Sequence, residues 1–464
     1  MKSAFDSRRY KKPTLGLPLI GLITLVSSID SHAGELSVVI NGAIENNYSI
    51  INSRYDIQST EFDKDISSAF FYPTINANAN TTWNESDVRA LQPSNQNYNS
   101  NGYTLSLSQT LLDVSRYNTY RESELDVQIS KLQHDKLVND TVVEVVDNYF
   151  SYLKFHAQRK ATDAQYRSSV SRLKQVTRNN ELGNLPKTDV YETQARKNTT
   201  SKQISDINKQ INLSLNQLQS TSQTQVVPSF DLALNNQYLP ISDSEKAQLK
   251  GRLVEANFDI AIAKSLLDKS KRTLSKSRSD FYPTLQASAN YEYEDSNRDN
   301  SKTDTTTYSL TVNLPIFEGG SDYYEYQKNK GRIQQFSAQY DQALNDAQFA
   351  LDDTVLTINA NIEAMSYLRA AVIANYRVYQ GNKKAYRLGT KTLTDLLNSE
   401  SDLFDSIREY YTNQYDYVIN VTKLRALFGA IDLEELNRIS ERMIPIEDTF
   451  DLSIIDSLSA QGEG

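Results

Sequence analysis

The sequence predicts a mixed, mostly helical fold built from two copies of one plan: helix, two strands, long helix, second long helix. Three observations predict it. FYPTINANAN (71–80) recurs as FYPTLQASAN (281–290), 210 positions later. Four stretches of about ten residues alternate strictly between apolar and polar, the period of a strand with two unlike faces. Between and after them run long helical patterns free of Gly and Pro, in a chain of 464 residues with only 15 Gly and 10 Pro, residues that long helices tolerate poorly.

The N-terminus reads as a leader. Lys2, Arg8, Arg9, Lys11 and Lys12 precede the apolar run 14–26, and SHA (31–33) is a small-x-small cleavage site. This is the order of a secretory signal peptide over 1–33, with the mature chain starting at Gly34. A membrane anchor is the alternative. The chain carries 49 Lys+Arg against 58 Asp+Glu, net −9, and the leader removes more basic than acidic charge. That argues against a nucleic-acid partner. Cysteine is absent, so there is no disulfide framework, thiol nucleophile, Cys-held metal or lipid-modified Cys.

The duplication covers the rest. AIENNYSI (43–50) matches LVEANFDI (253–260), YTLSLSQTLLD (103–113) matches YSLTVNLPIFE (308–318), and LGNLPKTDV (182–190) matches LGTKTLTDL (388–396). The first repeat therefore spans 34–220, a linker with Pro228 and Pro240 spans 221–242, and the second repeat spans 243–440. The acidic tail 441–464 is expected to be disordered.

Each repeat opens with helical segments (36–69; 244–279). Strands follow at about 74–84 and 103–112, and at about 284–294 and 308–316, around polar loops 85–102 and 295–307. Ile75, Ala77, Ala79 and Trp83 lie on one face, against Asn76, Asn78 and Asn80 on the other. Tyr103, Leu105 and Leu107 repeat this pattern, as do Leu285, Tyr291 and Tyr293, and Tyr308, Leu310 and Val312. A soluble sheet with one wet face alternates in this way. So does a membrane barrel with lipid outside and water inside, and the strand pattern alone does not separate them. Four strands are too few to close a water-filled barrel, so a barrel needs several chains. After the leader, no apolar run reaches the ~18 residues of a transmembrane helix.

Long helices follow at about 119–181 and 186–219, then at about 320–387 and 391–429. The first is roughly 95 Å long at 1.5 Å per residue. In the last, Leu396, Leu403, Tyr410, Tyr417 and Leu424 recur every seven residues, a coiled-coil-like seam. Either an antiparallel bundle or a wall of helices around a channel fits. No constellation supports enzyme chemistry. His32 lies in the leader, and His134 and His156 have no ligand-spaced partners. No cofactor or metal is expected.

The two FYPT motifs, LPIFEGG (314–320) and YRLGTKTLTDLLNSESDLF (386–404) together make the chain resemble the TolC-like outer-membrane efflux proteins over nearly all of 34–440. The resemblance implies a homotrimer with a shared twelve-stranded β-barrel in outer-membrane lipid and a long α-helical barrel in the periplasm. It implies a passive exit duct for type I secretion or efflux. The partners would be a periplasmic membrane-fusion adaptor and an inner-membrane ABC transporter or proton-driven pump. The lipid-facing residues would be Ile75, Trp83, Tyr103, Leu105, Leu107, Leu285, Tyr291, Tyr293, Tyr308, Leu310 and Val312. Leu182, Gly183 and Asn184, with Leu388, Gly389 and Thr390, stand where the family's tips meet the adaptor. Asp395 matches an acidic ring at the gate, Asp189 a partner in the constraining network, and Tyr386 and Lys391 the groups that tie helices closed. Local readings compete: Gly183 and Gly389 suit helix ends, and both aspartates suit first turns.

The chain departs from the family at two of these positions. Asn398 stands where a second acid is frequent, and Lys391 where Arg is more usual, which implies a less firmly locked gate. The missing lipid-anchor Cys leans toward protein secretion or a shared duct. A dedicated small-molecule multidrug efflux duct and a soluble periplasmic coiled-coil scaffold are the alternatives.

Overall fold

A computed structural model describes residues 35–88, 94–232, 239–297, 300–429, 431 and 443–446. The leader and the tail beyond 446 lie outside the described residues. The first repeat contains α1 (Glu35–Asn46), α2 (Tyr48–Ala69), β1 (Thr74–Val88), β2 (Ser94–Leu112), α3 (Val114–Glu181) and α4 (Lys187–Ser222). A short β3 (Phe230–Leu232) follows. The second contains α5 (Asp243–Ala256), α6 (Phe258–Ser279), β4 (Thr284–Ser296), β5 (Ser301–Asn313), α7 (Ser321–Arg387) and α8 (Leu393–Ala426), and β6 (Met443–Pro445) closes the set.

Each opening helical segment is two helices, broken at Asn47 and Asn257. The Asn47 side chain accepts from the N–H groups of Ser49 (2.9 Å) and Ile50 (3.4 Å). Asn257 accepts from those of Asp259 (3.0 Å) and Ile260 (3.2 Å). These are N-caps. The same amides donate to carbonyls at the ends of the repeats' last helices, Asn47 to Thr221 (2.9 Å) and Asn257 to Leu427 (3.0 Å). The repeated ENN and EAN are thus a kink and a tether in one residue.

The four long strands form one antiparallel sheet, ordered β1-β2-β4-β5. They outrun the expected boundaries. β1 reaches Val88, β2 starts at Ser94 rather than near 103, and β5 starts at Ser301 rather than near 308. The loops expected at 85–102 and 295–307 are therefore mostly strand. β5 stops at Asn313 rather than 316, because Pro315 has no N–H to add to a ladder. The register sets Ile75 beside Leu107, Leu107 beside Ala289 and Ala289 beside Tyr308. Two residues further, Ala77, Leu105 and Tyr291 align, and then Ala79, Tyr103 and Tyr293. All eleven expected lipid-facing residues share this face. Tyr308 is 81% exposed and Trp83 68% exposed, and Tyr103 stacks on Tyr293 with ring centroids 5.2 Å apart. The opposite face carries only Asn, Ser, Thr, Gln, Glu and Gly102 through the aligned rungs 74–82, 100–108, 286–296 and 301–309. From Leu285 to Tyr293 the apolar band runs about 26 Å along the strand. No helix among the described residues is long and apolar enough to cross a membrane.

Below the sheet, α3 (68 residues) and α7 (67 residues) each extend about 100 Å. α4 packs back along α3, and α8 packs along both α7 and α3. The largest core lies around their middle. Leu36, Val39 and Ile40 of α1 pack with Val145, Tyr149 and Phe150 of α3, Leu218 of α4, and Tyr415 and Ile419 of α8. The linker and tail also meet there. β3 pairs with β6, Phe230 opposite Pro445 and Leu232 opposite Met443. Met443 is buried, and Ile446 packs on this core. The tail expected to be disordered from 441 is therefore ordered across 443–446. The Tyr415 hydroxyl donates to Asp231 of β3, which also faces Lys160 at 3.7 Å.

Candidate functional site

Two helix-to-helix turns lie at the end farthest from the sheet. α3 closes with Gly183 at φ +77° and α7 with Gly389 at φ +73°. The Asn184 N–H donates to the Asn179 carbonyl (2.8 Å), and the Thr390 N–H to that of Ala385 (3.0 Å). Both are six-to-one closures of a helix end on a left-handed glycine. A Cβ at either glycine would meet nothing within 4 Å, so backbone conformation, not space, calls for glycine. Leu182 (58% exposed) and Leu388 (79% exposed) crown the turns, beside exposed Asn184 and Thr390.

The two following helices start differently. α4 starts after Pro186, which offers no side-chain cap. Asp189 sits in that uncapped first turn, where a carboxylate faces the helix's positive end. α8 starts with a reciprocal cap: the Asp395 N–H donates to the Thr392 hydroxyl oxygen (3.1 Å), and the Thr392 N–H (3.1 Å) and hydroxyl (2.8 Å) donate to the Asp395 carboxylate. Lys391 Nζ lies 3.8 Å from the same carboxylate. The Thr392 bonds first, then the Lys391 charge, hold Asp395 below the usual carboxylate range.

A cleft of about 1020 Å³ opens between the turns. Asp189, Tyr386 and Lys391 line it together with Arg172 and Tyr379, whereas Asp395 is not among its lining residues. Tyr386 is half-buried. Burial pushes its phenol upward, Arg172 opposes this, and the Asp189 charge adds to it. Asn398 is drawn elsewhere: its side-chain oxygen accepts from Arg196 of α4 at 2.5 Å. The five expected gate residues thus fall into a Lys391–Asp395 pair, Tyr386 and Asp189 in the lining of the cleft, and a separate tether at Asn398.

Sequence reasoning missed Arg172 and Glu400. Arg172 Nε of α3 lies 3.6 Å from Glu400 Oε2 of α8, with side-chain exposures of 9% and 3%. Ser168 also donates to Glu400. The signal was available: Glu400 sits four residues after Leu396 and three before Leu403, on the buried side of the seam. Of the histidines, His134 bonds Ser53 at 2.7 Å and His156 stacks on Tyr152. No group of His, Cys, Asp and Glu among the described residues is arranged to hold a metal.

The family described as outer membrane efflux protein has a sequence model that matches residues 39–222 and 249–430, one segment per repeat. Among curated relatives, an alkaline protease secretion protein of Pseudomonas aeruginosa is 22% identical over 365 residues, covering 75% of this chain and 74% of that one. The outer membrane protein TolC of Vibrio cholerae is 22% identical over 438 residues, 90% of this chain and 96% of that one. Among solved structures, the Campylobacter jejuni CmeC outer membrane channel superimposes with a TM-score of 0.78 at 15% identity, covering 95% and 99% of the two chains. The CusC channel superimposes with a TM-score of 0.77 at 16% identity, covering 86% and 92%.

Proposed function

The chain belongs to the outer membrane efflux protein family, and from that premise we propose a passive, homotrimeric exit duct serving polypeptide export, gated at Asp395, Asp189, Tyr386, Lys391 and Asn398, with the 182–184 and 388–390 turns meeting the adaptor. Its place is the outer membrane with a periplasmic extension, as part of a tripartite secretion or efflux system with an adaptor and an inner-membrane pump. The observation that carries the duct is the sheet. One face carries an apolar band about as deep as a bilayer, and the other is polar through the aligned rungs. A wall with lipid on one side and water on the other has this chemistry.

No chemistry is assigned to the chain. Energy comes from the pump, and the duct supplies a wetted path with a constriction. Asp395 carboxylates from several chains, converging near the axis, would attract cations and favour divalent block. Lys391 neutralises part of that charge. Polypeptide cargo is supported by the similarity to protease secretion proteins, which extends over 90% of this chain in that of Dickeya chrysanthemi. Small-molecule cargo is the second reading, favoured by the 20% identity to an antibiotic efflux pump outer membrane protein of Pseudomonas putida.

The discriminating experiment is fractionation. The protein is expected to stay with outer membranes through high-salt and carbonate washes and to leave only with detergent. Release by salt alone would reject the duct in favour of a soluble periplasmic scaffold.

A further inference from the structure

The strap formed by β3 and β6 lies over one face of α3. Tyr149 on that face packs with α1, and Lys160, about three turns on, faces Asp231 of β3 at 3.7 Å. The same face continues toward the tip as Arg167 and Lys174, about five and seven turns after Tyr149. Both are exposed, and neither has an ion-pair partner among the described residues. α4 edges this face. Its Asn208 accepts from Arg159 at 2.8 Å, and Lys197, about three turns nearer the tip on the same side of α4, also has no ion-pair partner among the described residues. The carboxylates on this face of α3 are already held, Asp163 by Arg159 and Glu181 by Arg178. Val170, 41% exposed, adds an apolar spot between the cations. An uncompensated cationic groove thus runs from the strap toward the tip of a chain that is net −9.

The chain carries a complement that starts at the head of this groove. Ile446 ends the strap, its N–H donating to the Ser229 carbonyl at 2.9 Å. Residues 447–464 follow. They include Glu447, Asp448, Asp451, Asp456 and Glu463, no Lys or Arg, and apolar Phe450, Ile454 and Ile455. From Lys160 to Lys174 is about 21 Å of helix, and residues 447–457 can span about 36 Å. Single surface ion pairs are weak, but a tethered segment meets its site at an effective concentration of the order of millimolar. Weak contacts then suffice.

We propose that the acidic segment 447–464 docks along the Arg167–Lys174–Lys197 groove of its own chain. Its carboxylates face the three cations and its apolar residues cover Val170. Another acidic partner of this face must first displace it. The docking is independent of the gate and cargo readings.

The probe is thiol joining in the full-length protein in detergent, which has no native cysteine. Lys174→Cys/Ser457→Cys is treated with a short bifunctional thiol reagent at low salt. Ser366→Cys/Ser457→Cys is the control, Ser366 being exposed on α7. Joining within one chain is expected to be at least fivefold greater for the Lys174 pair. It is expected to fall severalfold in 1 M salt, where charges are screened within about 3 Å, and again when Arg167→Glu/Lys197→Glu is added. The salt arm decides alone if the charge-reversed variant misfolds. Joining no greater than in the control, or unmoved by salt, would overturn the docking. A product with the mass of two chains would overturn the own-chain assignment and give the groove to the tail of a neighbouring copy.

Discussion

Asp395 has two tasks at the residue scale, and they can be separated. Its carboxylate completes a helix cap with Thr392 and carries the charge proposed for the constriction. Because its folded pKa is lowered, the cap's contribution is present above the unfolded value of ~3.9 and fades as pH falls through the lower folded value. The cap therefore persists at neutral pH and is lost only in acid. Asp395→Asn keeps an acceptor for the Thr392 N–H and removes the charge. It is expected to weaken cation selectivity and divalent block in single-channel recordings, with little change in thermal midpoint. Thr392→Ala removes the cap and leaves the charge. It should cost about 1 kcal/mol of helix stability with selectivity retained. If Asp395→Asn leaves selectivity and divalent block unchanged, Asp395 is only a cap. The helix-end glycines and the first-turn placement of both aspartates were legible in sequence because turn chemistry marks them. The Arg196–Asn398 bond was not, because it joins residues 202 apart through side chains that carry no periodic signal.

The existence of each long element could be read from the chain, but the length of the strands could not. Alternation reports a strand only where its two faces differ. Between Ser301 and Thr307 every residue is polar, so the pattern vanishes while the ladder with β4 continues, Ser296 opposite Ser301. The breaks at Asn47 and Asn257 were hidden for a different reason: each residue sits inside an otherwise continuous helical pattern, and its tether lies at the far end of the repeat. The two breaks make a matched pair for testing. Asn257 is 5% exposed and Asn47 is less enclosed. Asn257→Ala removes the cap of α6 and deprives the Leu427 carbonyl of its donor, an expected loss of about 1–3 kcal/mol. Asn47→Ala should cost less, because water can replace more of what is lost. Thermal unfolding in detergent, followed by circular dichroism, checks the order. A larger loss at Asn47, or no loss at either, would reject the tether as a stabilising device.

One chain leaves the sheet open at the scale of the whole molecule. β1 and β5 are its edges, and an unpaired edge is not tolerated in lipid. In the proposed trimer, pairing β5 of one chain with β1 of the next would remove both edges, and three chains would give twelve strands around a channel. The internal duplication supplies the template for the helices. Within a chain α6 packs against α7 of its own repeat and α3 of the other, fastened by Ser277–Asn329 (2.5 Å) and Ser279–Asn118 (2.8 Å). α2 is the counterpart of α6, yet among the described residues it packs mainly on α3, with a smaller contact to α1. Its remaining face exposes Tyr48 (74%), Tyr55 (66%), Phe62 (57%) and Ile66 (62%), a seven-and-four spacing that suits a second helix. In the proposed trimer, α7 of a neighbouring copy would be the equivalent partner by this internal symmetry. Tyr55→Asp/Phe62→Asp places two charges on that stripe without touching the chain's own core. The parent is expected to sediment in detergent as three chains, and the variant to shift toward single chains with unchanged helix content. A variant that remains trimeric at the parental detergent concentration would show that α2 faces something other than the next copy.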